Sequence, residues 1–198
     1  MELNDMQLDG LREISNIGSG TAATALSSML GRTVDLKVPR ALALDLADAV
    51  DAVGSPEDDV TAVVLGVAGD LSATVVLLFD PTSAATVCTL LGVDPADPEM
   101  ALSALGEVGN ILGSSYVGAM GQMAGLELEP TPPVALADML GAIVASALAS
   151  TAMDTDLALL LDSEMLVEGA ECTFGVLFVP NADGVDRLLI GLGLGEAA

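Results

Sequence analysis

Apolar and small residues recur at a helical period over about 5–30 and again over about 98–125, as in helices that bury one face. A helix advances about 100° per residue. With Asp9 set at zero, Leu11, Ile14, Gly18, Ala22, Ala25 and Met29 gather on one side and Glu13, Asn16 and Gly20 on the other. In the second stretch Leu105, Val108, Leu112, Tyr116, Ala119 and Met123 share a face, opposite Ser103, Glu107, Asn110 and Ser114. Runs rich in leucine and β-branched residues predict strands near 33–44, 60–68, 72–79, 127–137, 155–164 and 170–179. Gly69-Asp70 divides the second run from the third as a hairpin turn would. Short helices are predicted near 45–53 and 138–151, and a last one in each half after Pro81 and Pro180.

Each half therefore reads helix, strand, helix, strand, strand, helix. The halves also correspond in sequence. Glu13-Ile-Ser-Asn16 and Glu107-Val-Gly-Asn110 lie 94 positions apart, an offset that places Ala25 on Ala119, Gly31 on Gly125 and Pro39 on Pro133. Further on, Pro81 with Leu90-Leu91-Gly92 matches Pro180 with Leu189-Ile190-Gly191 at an offset of 99. The expected fold is α+β: two pseudo-symmetric α-β-α-β-β-α halves, about 5–95 and 98–195, forming a single domain over 1–198. One sheet, with the two long helices packed on it, would serve both. Asp94–Pro98 is the natural junction.

Composition narrows the chemistry. Hydrophobic residues make up 52% of 198 positions, enough for a sizeable core. There is no His and no Trp, which removes histidine bases, Ser-His-Asp systems and most zinc or iron sites. Acidic residues number 29 against 5 basic, a net charge of −24. Such a chain repels phosphate backbones and acidic lipid, so no nucleic-acid partner is expected. Self-repulsion of this density also points to a salt-rich, halophilic host, where molar salt screens charge within about 3 Å, with an ordinary acidic protein as the alternative. Cys88 and Cys172 belong to no ligand spacing and read as free, buried thiols of a cytoplasmic protein. The uncharged stretches Ile14–Gly31, Val108–Leu126 and Met139–Met153 are too polar or too short to span a bilayer, so no membrane insertion is expected.

The chemistry-bearing residues are the Glu and Asn pairs. A carboxylate and a carboxamide one turn apart are ordinary on a solvated helix face. Asparagine is nevertheless a poor mid-helix residue, and it stands at matching interior positions in both halves. Past each pair the face continues without charge through Gly20, Ala23 and Ser27, or Ser114 and Gly121, a smooth ridge for another macromolecule. Gly18 and Gly20 read as helix-packing glycines, since they follow no strand as a phosphate loop would. An amide can accept a proton from water and donate to an oxygen, and so can orient a water for in-line attack without repelling a phosphoryl anion. With no metal-ligand set and no nucleophile beside it, the remaining chemistry must come from the substrate. A protein carrying its own reactive phosphate and Mg²⁺ would supply it.

The spacing Asp9-x3-Glu13-x2-Asn16-x22-Pro39, repeated as Ser103-x3-Glu107-x2-Asn110-x22-Pro133, resembles the doubled signature of the CheC family of chemotaxis phosphatases. The resemblance covers the whole chain. It implies hydrolysis of the aspartyl phosphate of a CheY-like response regulator, with no cofactor or metal of the chain's own and with Mg²⁺ carried by the regulator. It further implies that Glu13 and Glu107 pair with the regulator's lysine while Asn16 and Asn110 align the water. Asp9 and Ser103 would tune docking or helix geometry, and Pro39 and Pro133 would fix the path into the first strand of each half. Relatives also bind the deamidase CheD through a short helix of the second half, here about Met139–Ser150, for which a buried core helix is an equally good reading. Two alternatives stay open: a non-enzymatic adaptor holding CheD or a regulator, and a hydrolase using Glu13 and Glu107 as acid and base.

Overall fold

The strand Ala73–Phe79, β3, is buried at every position, and the other elements are layered around it. The computed structural model describes residues 3–151 and 157–195. Its first half is α1 (Asp5–Leu30), β1 (Val34–Asp45), α2 (Leu46–Val53), β2 (Asp59–Gly69), β3 and α3 (Pro81–Leu90). Its second is α4 (Pro98–Ala124), β4 (Leu128–Pro130), β5 (Val134–Met139), α5 (Leu140–Thr151), β6 (Leu157–Val167), β7 (Ala170–Pro180) and α6 (Gly184–Gly191). The class is α+β, as the alternation of helical and strand periods predicts.

All pairings are antiparallel in one sheet of order β1-β6-β7-β3-β2-β4, with β5 continuing beside β2. Each half lends its first strand to the other: β1 pairs with β6, while β4 and β5 pair with β2. At the centre β3 pairs with β7, and Leu77 stands opposite Val176. Those positions are 99 apart (176 − 77), the offset that aligns the last helices of the halves. The offset between the two halves of the sequence is thus met again in the pairing at the centre of the sheet.

Alternation along the strands sorts side chains to two faces. Val63, Leu65, Val75, Leu77, Phe79, Leu161, Val176 and Phe178 meet Leu11, Ile14, Ala22 and Leu26 of α1 and Leu105, Val108, Leu112 and Tyr116 of α4. Ala62, Val76, Leu78, Leu160 and Leu177 on the other face meet Ala49 of α2 and Leu140, Ile143 and Val144 of α5. Each fully buried leucine is worth about 1.5–3 kcal/mol. The apolar stripes thus fix which way each long helix turns, and with it which residues face out.

Three local expectations are corrected. The strand near 127–137 is two strands, because Thr131-Pro132-Pro133 interrupts it: prolines cannot donate to a ladder. Thr131 fills the gap, its N–H donating to Gly66 O at 2.8 Å and its Oγ1 accepting from Gly66 N at 2.9 Å. In the first half the corresponding place is a register shift in β1 between Lys37 and Arg40, around Pro39. The helix after Pro180 starts only at Gly184, whose N–H first closes a turn on Asn181 O at 2.8 Å. Ala25 is exposed rather than buried, because the stripe of α1 is centred on Ala22 and widens to Ser15 and Ser19. Positions 155 and 156 of the expected strand 155–164 lie outside the described residues. Both cysteines are free and buried.

Candidate functional site

The geometry of the site begins with how α1 is anchored. Asn4 caps it, accepting from Gln7 N at 3.0 Å while Gln7 Oε1 accepts from Asn4 N at 3.0 Å, so two otherwise unpaired donors are satisfied reciprocally. Gln7 Nε2 also donates to Leu194 O at 3.1 Å. Leu11 and Ile14 then enter the core, and Gly18 lies against Tyr116: a Cβ there would come within 2.7 Å of its Cδ1 and 3.0 Å of its Cα. Ser19 Oγ and Tyr116 Oη share a buried hydrogen bond of 3.0 Å, and Ser163 Oγ lies 3.4 Å beyond. With that face committed, Glu13 and Asn16 are left exposed on the opposite one.

α4 is anchored by the Asp97 cap on Met100 N (3.2 Å) with Pro98 in the first turn. It sits close to β2, where Gly109 and Gly113 lie against Val63 and Leu65. Glu107 is exposed and Asn110 half-buried. Gly191 of α6 abuts Ala124 at the C-terminal end of α4, and Leu194 touches Gly10 near the start of α1. The two long helices therefore run antiparallel. Their Glu and Asn pairs, each in the N-terminal half of its helix, are carried to opposite sides of the Gly18–Tyr116 crossing. That placement separates Glu13 from Glu107 and speaks against an acid and base acting on one bond.

Among the described residues no side-chain hydrogen bond or ion pair occupies Glu13, Asn16, Glu107 or Asn110. Each half thus offers a carboxylate that can only accept and, one turn on, a carboxamide free to accept and donate. Beyond Asn16 the surface is uncharged: Thr21, Thr24 and Ser28 turn their hydroxyls back to the carbonyls four residues earlier. Gly20, expected to pack helices, has nothing within 4 Å of where a Cβ would stand and leaves open surface beside Asn16. The ridge is less complete in the second half, where Gly121 is buried. Its Cβ position lies 2.8 Å from Leu126 O.

The other motif residues are dispersed. Asp9 lies one turn before Glu13 and binds Arg12, Oδ1 to Nη1, at 3.0 Å. Ser103, its counterpart, is exposed with no side-chain partner among the described residues. Pro39 sits in β1 and lines a cavity of about 700 Å³ with Arg40, Val53, Val60, Leu78 and Leu140, on the α2 and α5 side of the sheet. Pro133 leads into β5. Neither proline belongs to the helix layer carrying the carboxamides. Sequence reasoning passed over Arg12, although its place four residues before Asn16 was there to be read.

Two segments, 6–42 and 100–137, match the CheC-like family. Each holds one Glu and Asn pair and ends just past the motif proline. "CheY-P phosphatase CheC" of Bacillus subtilis (strain 168) is 30% identical over 200 residues, covering 96% of each chain. The chain belongs to the CheC-like family. The "Flagellar motor switch phosphatase FliY" of the same organism is 29% identical over 138 residues, 67% of this chain and 36% of that one. The structure of Thermotoga maritima FliY superposes with a TM-score of 0.79 over 99% of this chain and all of the other, at 22% identity, which establishes a shared fold. No helix among the described residues is long and apolar enough to cross a membrane.

Proposed function

We propose that this CheC-like protein is a phosphatase that hydrolyses the aspartyl phosphate of a CheY-type response regulator in chemotaxis signalling. The observation that carries the reading is the pair of unpartnered Glu and Asn side chains projecting from each long helix. The near full-length kinship with a CheY-P phosphatase supports it. Glu13 or Glu107 engages the regulator's lysine, an ion pair that sets register. Asn16 or Asn110 then enters the phosphorylated pocket, accepts from the attacking water and holds it in line. The water oxygen bonds to phosphorus as the bond from phosphorus to the regulator's aspartate oxygen breaks. The aspartate leaves as a carboxylate and the water's proton passes to orthophosphate or solvent. Positioning and charge stabilisation dominate phosphoryl transfer, so a neutral amide suffices. Mg²⁺ belongs to the phosphorylated substrate, whose charge it offsets. The reaction takes place in the cytoplasm, which suits two free thiols.

CheD is a second partner in this proposal. Leu140, Ile143, Val144 and Ala147 of α5 are buried, so its outer face, Ala142, Ala145 and Ser146, with Met139 just before it, is what a partner would meet. The deciding experiment follows decay of a phosphorylated cognate regulator, with and without the protein, over a range of salt. Wild type is expected to accelerate decay and Asn16→Ala/Asn110→Ala to lose that acceleration by about 10²-fold. Equal rates for wild type and the double variant would leave an adaptor that holds regulator or CheD without chemistry.

A further inference from the structure

We infer that Asp9 is a positioning residue of the first site, holding the Arg12 guanidinium one turn back along α1 and off the Asn16 amide; this rests on the reading of Asn16 given above. The ion pair joins Arg12 Nη1 to Asp9 Oδ1 at 3.0 Å on an exposed surface. Arg12 stands four residues before Asn16, about 40° away around the helix and one turn below it, the spacing at which side chains meet. A guanidinium offers five N–H donors. Released from Asp9, it lies within reach of Asn16 Oδ1, the acceptor that the attacking water needs.

The second half lacks both members of this pair. At the offset of 94, Asp9 falls on Ser103 and Arg12 on Gly106, so no cation stands four residues before Asn110 and no carboxylate is needed to restrain one. Arg12 is also one of only 5 basic residues in the chain, so a cation at this spot is not explained by background composition. Asp9 does not touch substrate in this arrangement. It acts through Arg12 on the availability of Asn16.

The test uses the full chain carrying Asn110→Ala, so that only the first site reads, in single-turnover decay of phosphorylated regulator at low salt. Asp9→Ala is expected to slow the bound complex about two- to five-fold, the range an exposed ion pair commands, with regulator affinity unchanged. Adding Arg12→Ala to Asp9→Ala restores the rate, which a general loss of helix stability would not allow. In the free protein the Asn16 side-chain amide resonances shift in Asp9→Ala and return in Asp9→Ala/Arg12→Ala. A rate loss that Arg12→Ala fails to repair, a loss caused by Arg12→Ala alone, or Asn16 resonances indifferent to Asp9 would each overturn the inference. If the Asn110→Ala chain is no faster than Asn16→Ala/Asn110→Ala, the catalytic reading of Asn16 fails, and the resonances still decide the question for Asp9.

Discussion

Burial pushes the Cys172 thiol from its usual 9.0 up to about 12, and the carboxylates of Asp80 and Glu171 act in the same direction. Tyr116 is also raised, by burial, against opposing hydrogen bonds from Ser163 and Ser19. Below pH 9 both states of the chain hold the Cys172 proton, so its contribution to stability is fully present there. Between pH 9 and 12 the unfolded chain releases the proton first, and stability falls as pH rises through that window. Thermal unfolding followed from pH 8 to pH 11 should show this decline, and Cys172→Ala should flatten it; an unchanged slope would mean that the thiol titrates normally. The outward placement of Glu13, Asn16 and Glu107 was legible at this same scale, since 100° per residue turns position into direction. The Arg12–Asp9 pair was open to the same reading, since the two stand three residues apart on one helix, but most such surface spacings form no ion pair and this one was passed over.

Gly18 and Gly20 show what an element's own sequence leaves undecided. Both read as packing glycines, yet a Cβ on Gly18 would press on Tyr116 while one on Gly20 meets nothing within 4 Å. The local period of α1 does not say from which side α4 approaches, and that approach assigns the roles. Gly18→Ala should destabilise the fold by about 1–3 kcal/mol through overpacking against a backbone atom. Gly20→Ala should stabilise it by about 0.5–1 kcal/mol through helix propensity. Urea unfolding measures both, and changes of the same sign would refute this packing. The divided strand at Thr131-Pro132-Pro133 has the same lesson: the run reads as one strand through its prolines, and the threonine that bridges the gap to Gly66 depends on which strand lies alongside.

At the scale of the molecule, charge and topology dominate. Among the described residues three ion pairs, Arg12–Asp9, Arg32–Glu168 and Arg40–Asp162, engage acidic groups, against a net charge of −24. The melting temperature should therefore rise by several degrees between about 0.1 and 1 M NaCl as self-repulsion is screened; a flat or falling trend would show that the carboxylates are better compensated than the sequence implies. The class and the single sheet were readable from the helical and strand periods. The exchange of first strands between halves was not, because nothing in a strand's composition names its neighbour. That exchange has a consequence on the ribosome. β1 is complete at Asp45, and its partner β6 begins at Leu157, so translation must add 112 residues (157 − 45) before the pairing starts. At about 5–20 residues per second, a nascent twelve-residue strand waits roughly 6–20 s with its ladder unfilled. Asp35, Lys37, Pro39 and Arg40 along it are the residue types that discourage a stray strand from filling that vacancy first.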